Sequence, residues 1–227
     1  RTNAGLDDIS IFKKMHSWIV PGERVITLLS AGNLATTQTV VSLLKERTKA
    51  PKDRQPTILE VPSMFEVARL VGSVIKEEIQ STAISGQKAD STFNATFIVG
   101  GQIKGGEPKM FMVYPEGNFI EASIDAPFMQ IGEAKYGRPI LVRAFDPDMS
   151  FQDAGKFLLV SFDSTIKANL SVDMPVDLQI YKNDEFDIYH ESRIEAEDEY
   201  FQTLSKGWSE ALKDAFQSLD KFKGLSH

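Results

Sequence analysis

The hydrophobic and polar positions of the first third of the chain predict a β-hairpin followed by a helix. Residues 9–20 alternate between two faces, which is the two-residue period of a strand. One of these faces carries Phe12, Lys14, His16 and Trp18. A turn at Pro21 and Gly22 leads into the apolar run 24–31, which ends at Gly32 and reads as a second, buried strand. Asn33 can then cap a helix that extends to about Arg47.

A longer amphipathic helix and a strand meander follow. Ser63 and Glu66 have the spacing of a capping box, and apolar residues recur at helical spacing from Met64 to Ile79. Three short alternating segments, 93–99, 110–114 and 119–124, are separated by turn residues and predict antiparallel strands.

The last third of the chain predicts a helix that begins after Ser150, a strand over 176–181 and a closing helix. The closing helix has a wide apolar stripe suited to packing on a partner, formed by Phe201, Leu204, Trp208, Ala211, Ala215, Leu219 and Phe222. Blocks of strands alternate with pairs of helices, so we expect an α+β layered sandwich, built as one domain over residues 1–227.

Composition and charge narrow the function classes. The chain has 227 residues, 42% of them hydrophobic, no cysteine and a net charge of −7, which argues against disulfides, thiolate metal sites and non-specific nucleic-acid binding. The three histidines are far apart, so we expect no metal and no cofactor. No run approaches the roughly 18 apolar residues of a membrane helix, and we expect a cytoplasmic protein without a membrane partner. A cleaved signal or propeptide would leave no trace in a chain that opens at Arg1.

Lys14 is the first candidate for chemistry. A lysine between Phe12 and His16 on an aromatic face would be partly desolvated, which favours its neutral, basic form. The alternative is an edge-strand lysine that extends its ammonium to water, and alternation alone favours that alternative.

The turn at Gly32 is the second candidate. A buried strand that breaks at a glycine and opens a helix can present backbone N–H groups to an oxyanion, although a tight structural turn needs the same glycine. Other signals are weaker. The glycine-rich stretch 100–106 lacks the Lys-Ser or Lys-Thr of a phosphate loop and predicts a hairpin loop, and the acidic run 191–199 predicts a solvated face or helix start. There is no G-x-S-x-G sequence.

Several stretches, in order along the whole chain, resemble Anbu, the "ancestral β subunit" family of bacterial proteasome-type proteases. They are Arg1 to Gly5, Asp8 to Ser10, Lys13 to His16, Leu28 to Ala35, Gln130 to Leu141 and Ser161 to Thr165. The resemblance implies the four-layer αββα fold of N-terminal-nucleophile hydrolases, in which two antiparallel sheets stack between helical layers.

The resemblance also implies roles for particular residues. The nucleophile of such enzymes is the hydroxyl of the first residue of the mature chain, usually threonine, with its own α-amine or a water as base. Lys14 corresponds to the lysine that tunes this group, and Gly32 to the position whose backbone N–H stabilises the oxyanion. Thr2 and Asn3 resemble the strand segment that pairs with an extended peptide substrate.

The sequence departs from the family pattern at several positions. The nucleophile is expected roughly 18 residues before Arg1 and its aspartate two residues before Arg1, so neither these residues nor the first strand of the fold belongs to residues 1–227. A chain of this extent alone is expected to be inert. Glu133 stands where proteasome relatives commonly have a serine near the nucleophile. Asp173 stands where glycine is more usual, and either restores a carboxylate near the site or occupies a turn, which we favour.

The resulting expectation is a threonine-type peptidase subunit that hydrolyses peptide or amide bonds within a self-assembled ring or open helical ring. Two alternatives stay open from the sequence. One is a non-catalytic scaffold or binding subunit of the same fold, and the other is an amidase that acts on small amides. Accessory proteins and an ATPase partner are undetermined by the sequence.

Overall fold

The structure, a computed structural model, describes residues 12–49, 56–84 and 93–224. These residues form seven strands and five helices. The strands are β1 (Met15–Val20), β2 (Arg24–Gly32), β3 (Ala95–Ile103), β4 (Lys109–Val113), β5 (Phe119–Glu121), β6 (Val176–Tyr181) and β7 (Ile188–Ile194). The helices are α1 (Leu34–Thr48), α2 (Met64–Ile84), α3 (Arg138–Ala144), α4 (Phe151–Ala168) and α5 (Glu199–Gln217).

Two compact units divide the chain, one comprising Arg1–Ala134 with Asp177–Ser192 and the other Lys135–Val176 with Arg193–His227. We call them the sheet unit and the helical unit. The single domain expected over residues 1–227 stays a prediction. Within the described residues, no helix is both long and apolar enough to span a bilayer.

The predicted N-terminal hairpin is confirmed where the chain is described. β1 and β2 pair antiparallel with Met15 opposite Leu29, and Gly22 takes a positive φ of 72° in the turn between them. Among the described residues the strand begins at Met15, and residues 9–11 of the prediction lie outside the described part of the chain. β2 ends at Gly32, as its sequence predicts.

Both predicted helices of the sheet unit are present. The Asn33 side chain accepts a hydrogen bond from the Thr36 N–H at 3.0 Å and so caps α1. The Glu66 N–H donates to Ser63 Oγ at 3.2 Å, which is one half of the predicted capping box, whereas the Glu66 carboxylate pairs with Arg69 at 2.6 Å.

These two helices cover one face of a five-stranded antiparallel sheet with the order β1-β2-β3-β4-β5. Alternate residues of the central strands point into the core between helices and sheet, among them Ile26, Leu28, Phe97 and Val99. From α2 the core receives Val67, Val71 and Val74, all fully buried. The amphipathic faces predicted from the sequence thus build the hydrophobic core of the sheet unit.

The glycine-rich stretch 100–106 is only partly a loop, so the prediction made for it is wrong over its first half. β3 continues through Gly100 and Gly101 to Ile103, and the turn is confined to the residues that follow. Gly101 has a φ of 149°, and a Cβ added there would lie 2.0 Å from the Val25 carbonyl oxygen on β2. Glycine is therefore required for close strand approach rather than for a turn.

A second, two-stranded sheet of β6 and β7 lies over the other face of the large sheet within the sheet unit. Gln102 on β3 is the main polar tie between the sheets. Its side-chain oxygen accepts from the Tyr181 hydroxyl at 2.6 Å and the Asp184 N–H at 2.8 Å. Its amide donates to Asp184 Oδ1 at 2.8 Å and to the Gly106 carbonyl at 2.9 Å. β7 occupies part of the acidic run for which we expected a solvated face or helix start.

The helical unit contains α3, α4 and α5. Ser150 caps α4 as predicted, accepting from the Asp153 N–H at 3.1 Å. A Cβ added to Gly137, which precedes α3, would lie 2.2 Å from Ser161 Oγ on α4, so α3 can approach α4 only through a glycine. α5 ends at Gln217, before the predicted end at Phe222. Ser218 is its C-terminal cap, and the Ser218 N–H donates to the Asp214 carbonyl oxygen.

Candidate active site

Lys14 lies immediately before β1 and is directly opposite Ser30 of β2. The Ser30 N–H donates to the Lys14 carbonyl at 3.0 Å, which continues the register of the hairpin by one pair. Directly opposite residues of an antiparallel pair project to the same side of the sheet, so the two side chains are neighbours. Burial lowers the pKa of the Lys14 ammonium below its ordinary value, because the charged form loses hydration. Of the two interpretations of the sequence, the structure favours a partly desolvated lysine.

Two unpartnered polar groups share the sheet face of Lys14. Ser30 is only 5% exposed, and within the described chain neither its hydroxyl nor His16 Nε2 has a hydrogen-bond partner. Burial, and next the positive charge of Lys45, lowers the pKa of His16 below its ordinary value. Buried polar atoms normally have hydrogen-bond partners. A group bound at the face beside Lys14 can therefore supply partners to Ser30 and His16.

Gly32 ends β2, two residues beyond Ser30 and thus about 7 Å further along the strand. Its φ is 111°, and an added Cβ would lie 2.3 Å from the Asn94 carbonyl oxygen. The Asn33 N–H donates to that same carbonyl at 2.9 Å, which fixes the bend where the strand enters α1. Gly32 is therefore needed for the turn itself, and the turn holds its backbone rigidly beside the face that carries Lys14.

The loop at residues 130–133 lies against the end of β2. A Cβ added to Gly132, which has a φ of 77°, would be 3.3 Å from the Ala31 Cβ. Gln130 places its side-chain oxygen in a buried position without a partner among the described residues. Glu133 is half-buried in the same loop. The loop thus reaches the strand end that carries Gly32. The position of Glu133 near the nucleophile stays a prediction.

The remaining candidates are Asp173, Thr2 and Asn3. Asp173 belongs to the helical unit, in the loop between α4 and β6, where its Oδ1 accepts from the Met174 N–H at 2.9 Å. That local hydrogen bond is typical of a turn residue. Thr2 and Asn3 lie outside the described residues. In the described ranges no three His, Cys, Asp or Glu side chains are grouped so that they could hold a metal ion.

The arrangement supplies three elements of acyl-transfer chemistry at one end of the sheet. A desolvated lysine can influence proton transfer, a rigid glycine turn can present a backbone donor, and unpaired polar atoms can meet a ligand. Ser30 and Gln130 were not singled out from the sequence. Both lie in stretches that resemble Anbu, Leu28 to Ala35 and Gln130 to Leu141, but only the register that places Ser30 opposite Lys14 distinguishes the serine from its neighbours.

Comparisons with known proteins converge on one family of solved structures. No protein-family model matches the chain, and no curated protein matches it. Anbu from Hyphomicrobium sp. strain MC1 is 52% identical, with a TM-score of 0.89, over 98% of this chain and 92% of that one. The chain belongs to the Anbu family.

Further Anbu structures agree with this assignment. Anbu (ancestral beta-subunit) from Yersinia bercovieri is 45% identical with a TM-score of 0.90, over 98% of this chain and 92% of that one. The structure described as the helical assembly of the Anbu complex from Pseudomonas aeruginosa is 40% identical with a TM-score of 0.90, over 99% of this chain and 91% of that one. The family resemblance and the α+β fold with two antiparallel sheets are both confirmed.

Proposed function

We propose that this Anbu chain is a subunit of an N-terminal-nucleophile peptidase that hydrolyses peptide or amide bonds. The observation that carries the proposal concerns Lys14, a half-buried lysine that lies opposite Ser30, two residues along the hairpin from the Gly32 turn. Burial lowers the pKa of this lysine. A lysine of lowered pKa beside a rigid backbone turn is typical of an active site and has no evident structural use on a sheet edge.

The proposed reaction is acyl transfer through a hydroxyl at the mature N-terminus. The hydroxyl oxygen attacks the substrate carbonyl carbon and its proton passes to the α-amine or a water, while the Gly32 N–H holds the oxyanion. Collapse breaks the C–N bond, the leaving amine takes the proton, and water then hydrolyses the ester. Lys14 acts on this proton transfer through its charge and hydrogen bonding. Glu133, in the loop against β2, is a secondary candidate, and Thr2 with Asn3 would pair with the extended substrate.

Self-assembly is the second part of the proposal. The P. aeruginosa relative is described as a helical assembly. We infer that this chain also associates with copies of itself, in a ring or an open helical ring, in the cytoplasm.

The experiment that tests the catalytic proposal is intact-protein mass spectrometry of the natively expressed full-length polypeptide after incubation with a peptide epoxyketone. An N-terminal threonine adds the whole mass of this electrophile, because its hydroxyl attacks the ketone and its α-amine opens the epoxide. We expect one adduct per chain. A protein that takes no label from this reagent or from a peptide β-lactone would support the non-catalytic scaffold instead. Turnover of small amides but not of peptides would support the amidase.

A further inference from the structure

Two buried polar atoms beside Lys14 take no part in the proton transfer proposed for that lysine. They are the hydroxyl oxygen of Ser30 and Nε2 of His16, and neither has a hydrogen-bond partner within the described chain. Ser30 is only 5% exposed. Because unpaired polar groups are costly to bury, a face that carries two of them is suited to a polar ligand.

The strand register places both atoms on one face of the hairpin. Lys14 lies opposite Ser30, and His16 lies opposite Leu28. Ser30 and His16 are therefore diagonal neighbours across the two strands, about 7–8 Å apart, and their side chains project to the same side of the sheet. Phe12 lies beside His16, with ring centroids 6.4 Å apart. Phe12 and Lys14 are half-buried, so a ligand reaches the two atoms past these side chains.

The two atoms form a donor and acceptor pair. The His16 ring makes a hydrogen bond to the Lys13 backbone that raises the pKa of His16, as a bond donated to a carbonyl does. Since Nε2 has no partner, the ring nitrogen that donates is Nδ1. In neutral imidazole the other nitrogen then carries a lone pair, so Nε2 is an acceptor, whereas the Ser30 hydroxyl can donate.

The surroundings of His16 favour this neutral form. Burial, and next the positive charge of Lys45 on α1, lowers the pKa of His16, and the charge of Lys13 acts in the same direction. Asp177 on β6 opposes them, but the pKa lies below its ordinary value, so Nε2 is an acceptor at neutral pH. A carboxylate has no N–H to donate to this nitrogen, whereas a carboxamide carries a donor and an acceptor on the same carbon atom.

The position of Gly32 indicates which side chain of a substrate would reach this pair. Ser30 and Gly32 are two residues apart on β2, so they share a face of the sheet and lie about 7 Å apart. In the proposed reaction the Gly32 N–H holds the oxygen of the attacked carbonyl. The side chain next to that carbonyl extends from the neighbouring carbon atom, and a glutamine side chain is long enough to reach Ser30 from there.

We propose that Ser30 and His16 select substrates with glutamine as the residue whose carbonyl is attacked. The Ser30 hydroxyl donates to the carboxamide oxygen, and the carboxamide nitrogen donates to His16 Nε2. The inference rests on the catalytic proposal above and adds to it the bond that is cleaved, which is the one that follows glutamine. Ser30 and His16 determine specificity, and the proton transfer does not pass through them.

Three peptide epoxyketones that differ only in this side chain test the inference on the full-length protein. They carry glutamine, glutamate or methionine, which are similar in length but present a carboxamide, a carboxylate and an apolar thioether. The rate of adduct formation is followed by intact mass at pH 7. We expect the glutamine reagent to label the wild type at least about tenfold faster than either of the others. Equal rates, or faster labelling by another reagent, would overturn the inference and leave the catalytic proposal standing.

Variants assign the preference to the two residues. Ser30→Ala removes the donor, and His16→Phe removes the acceptor but keeps an aromatic ring beside Phe12. Each should reduce the preference for glutamine over methionine to about threefold or less. Ser17→Ala removes a hydroxyl from the opposite face of β1 and should leave the ratio unchanged.

Two rates are compared within each protein, so a variant that is less active or less stable does not alter the comparison. A glutamine preference that survives in both Ser30→Ala and His16→Phe would contradict the roles of these residues. A wild type that none of the three reagents labels would contradict the catalytic proposal and this inference together.

Discussion

Gly32 combines two constraints that can be separated experimentally. Its φ of 111° disfavours any side chain, and a Cβ would also collide with the Asn94 carbonyl oxygen at 2.3 Å. Gly22 has a φ of 72° but open space around it. We expect Gly32→Ala to lower the free energy of unfolding by roughly 2–4 kcal/mol and Gly22→Ala by about 1–2 kcal/mol, as measured by urea denaturation. Equal losses would show that the close contact at Gly32 relaxes freely.

His16 should make the stability of the sheet unit depend on pH. Its pKa is lowered by burial first, then by Lys45 and Lys13, against the opposing effects of a Lys13 backbone hydrogen bond and of Asp177. The unfolded chain therefore binds a proton at a higher pH than the folded chain, and the free energy of unfolding falls as the pH drops through about 6.5.

Substitution separates this effect from other titrations. His16→Gln should flatten the stability profile between pH 7 and pH 5. Urea denaturation of the wild type and of this variant across the pH range tests the prediction, and a His16→Gln profile as steep as that of the wild type would contradict the assignment.

Single site candidates stood out in the sequence only where a local pattern marks them, and their roles stay predictions. Gly32 stands out in the sequence because a buried strand stops there, and Lys14 because aromatic residues flank it. Sequence alternation could not decide whether Lys14 is desolvated, because that depends on how the hairpin is covered. Ser30 escaped notice because its significance comes from the residue opposite, which is set by the register of two strands.

At the scale of elements, Gln102 is the strongest polar link between the two sheets of the sheet unit. It uses its amide and its side-chain oxygen in four hydrogen bonds while buried, to Tyr181, Gly106 and both the N–H and the carboxylate of Asp184. Replacing it with Met keeps the volume but leaves the Tyr181 hydroxyl and the Asp184 N–H without their acceptor. We expect Gln102→Met to cost roughly 2–4 kcal/mol in urea denaturation.

Gln179 provides the control for this prediction. It also joins the two sheets, with hydrogen bonds to Ser17, Thr27 and Glu191, but water can replace those that are exposed. Gln179→Met should therefore cost about 1 kcal/mol. A Gln102→Met variant no less stable than Gln179→Met would show that water also reaches the buried group.

Elements with a strong local signal were predicted well. The capped helices α1, α2 and α4 and the strands β2 and β6 begin where their caps and alternation place them. β3 was predicted too short because Gly100 and Gly101 look like a turn in sequence, whereas Gly101 serves close contact with Val25. α5 was predicted too long because its apolar period continues past Gln217, in a segment whose hydrophobic residues face solvent.

For the whole molecule, the family assignment carries information that local patterns lack. The order of elements predicted an α+β protein, but the pairing β1-β2-β3-β4-β5 and the separate β6-β7 sheet depend on contacts distant in sequence. Multi-residue stretches in a fixed order indicated the Anbu family. The structure explains why two of those stretches contain the residues they do. Gly137 and Ser161 belong to different stretches and meet where α3 packs on α4.

The central claim is that Lys14 supports an N-terminal nucleophile, and the rate of covalent capture tests it most directly. The measurement is the appearance of the epoxyketone adduct in the full-length protein by intact mass at pH 7, for wild type, Lys14→Met and the matched variant Lys13→Met. Lys13 is exposed and its Nζ lies 3.7 Å from Glu191 Oε1, so the Lys13 variant controls for loss of a charge from the same segment before β1. We predict capture at least about 100-fold slower for Lys14→Met and within about twofold of wild type for Lys13→Met. Capture of a folded Lys14→Met protein at the wild-type rate would contradict the proposed role of Lys14.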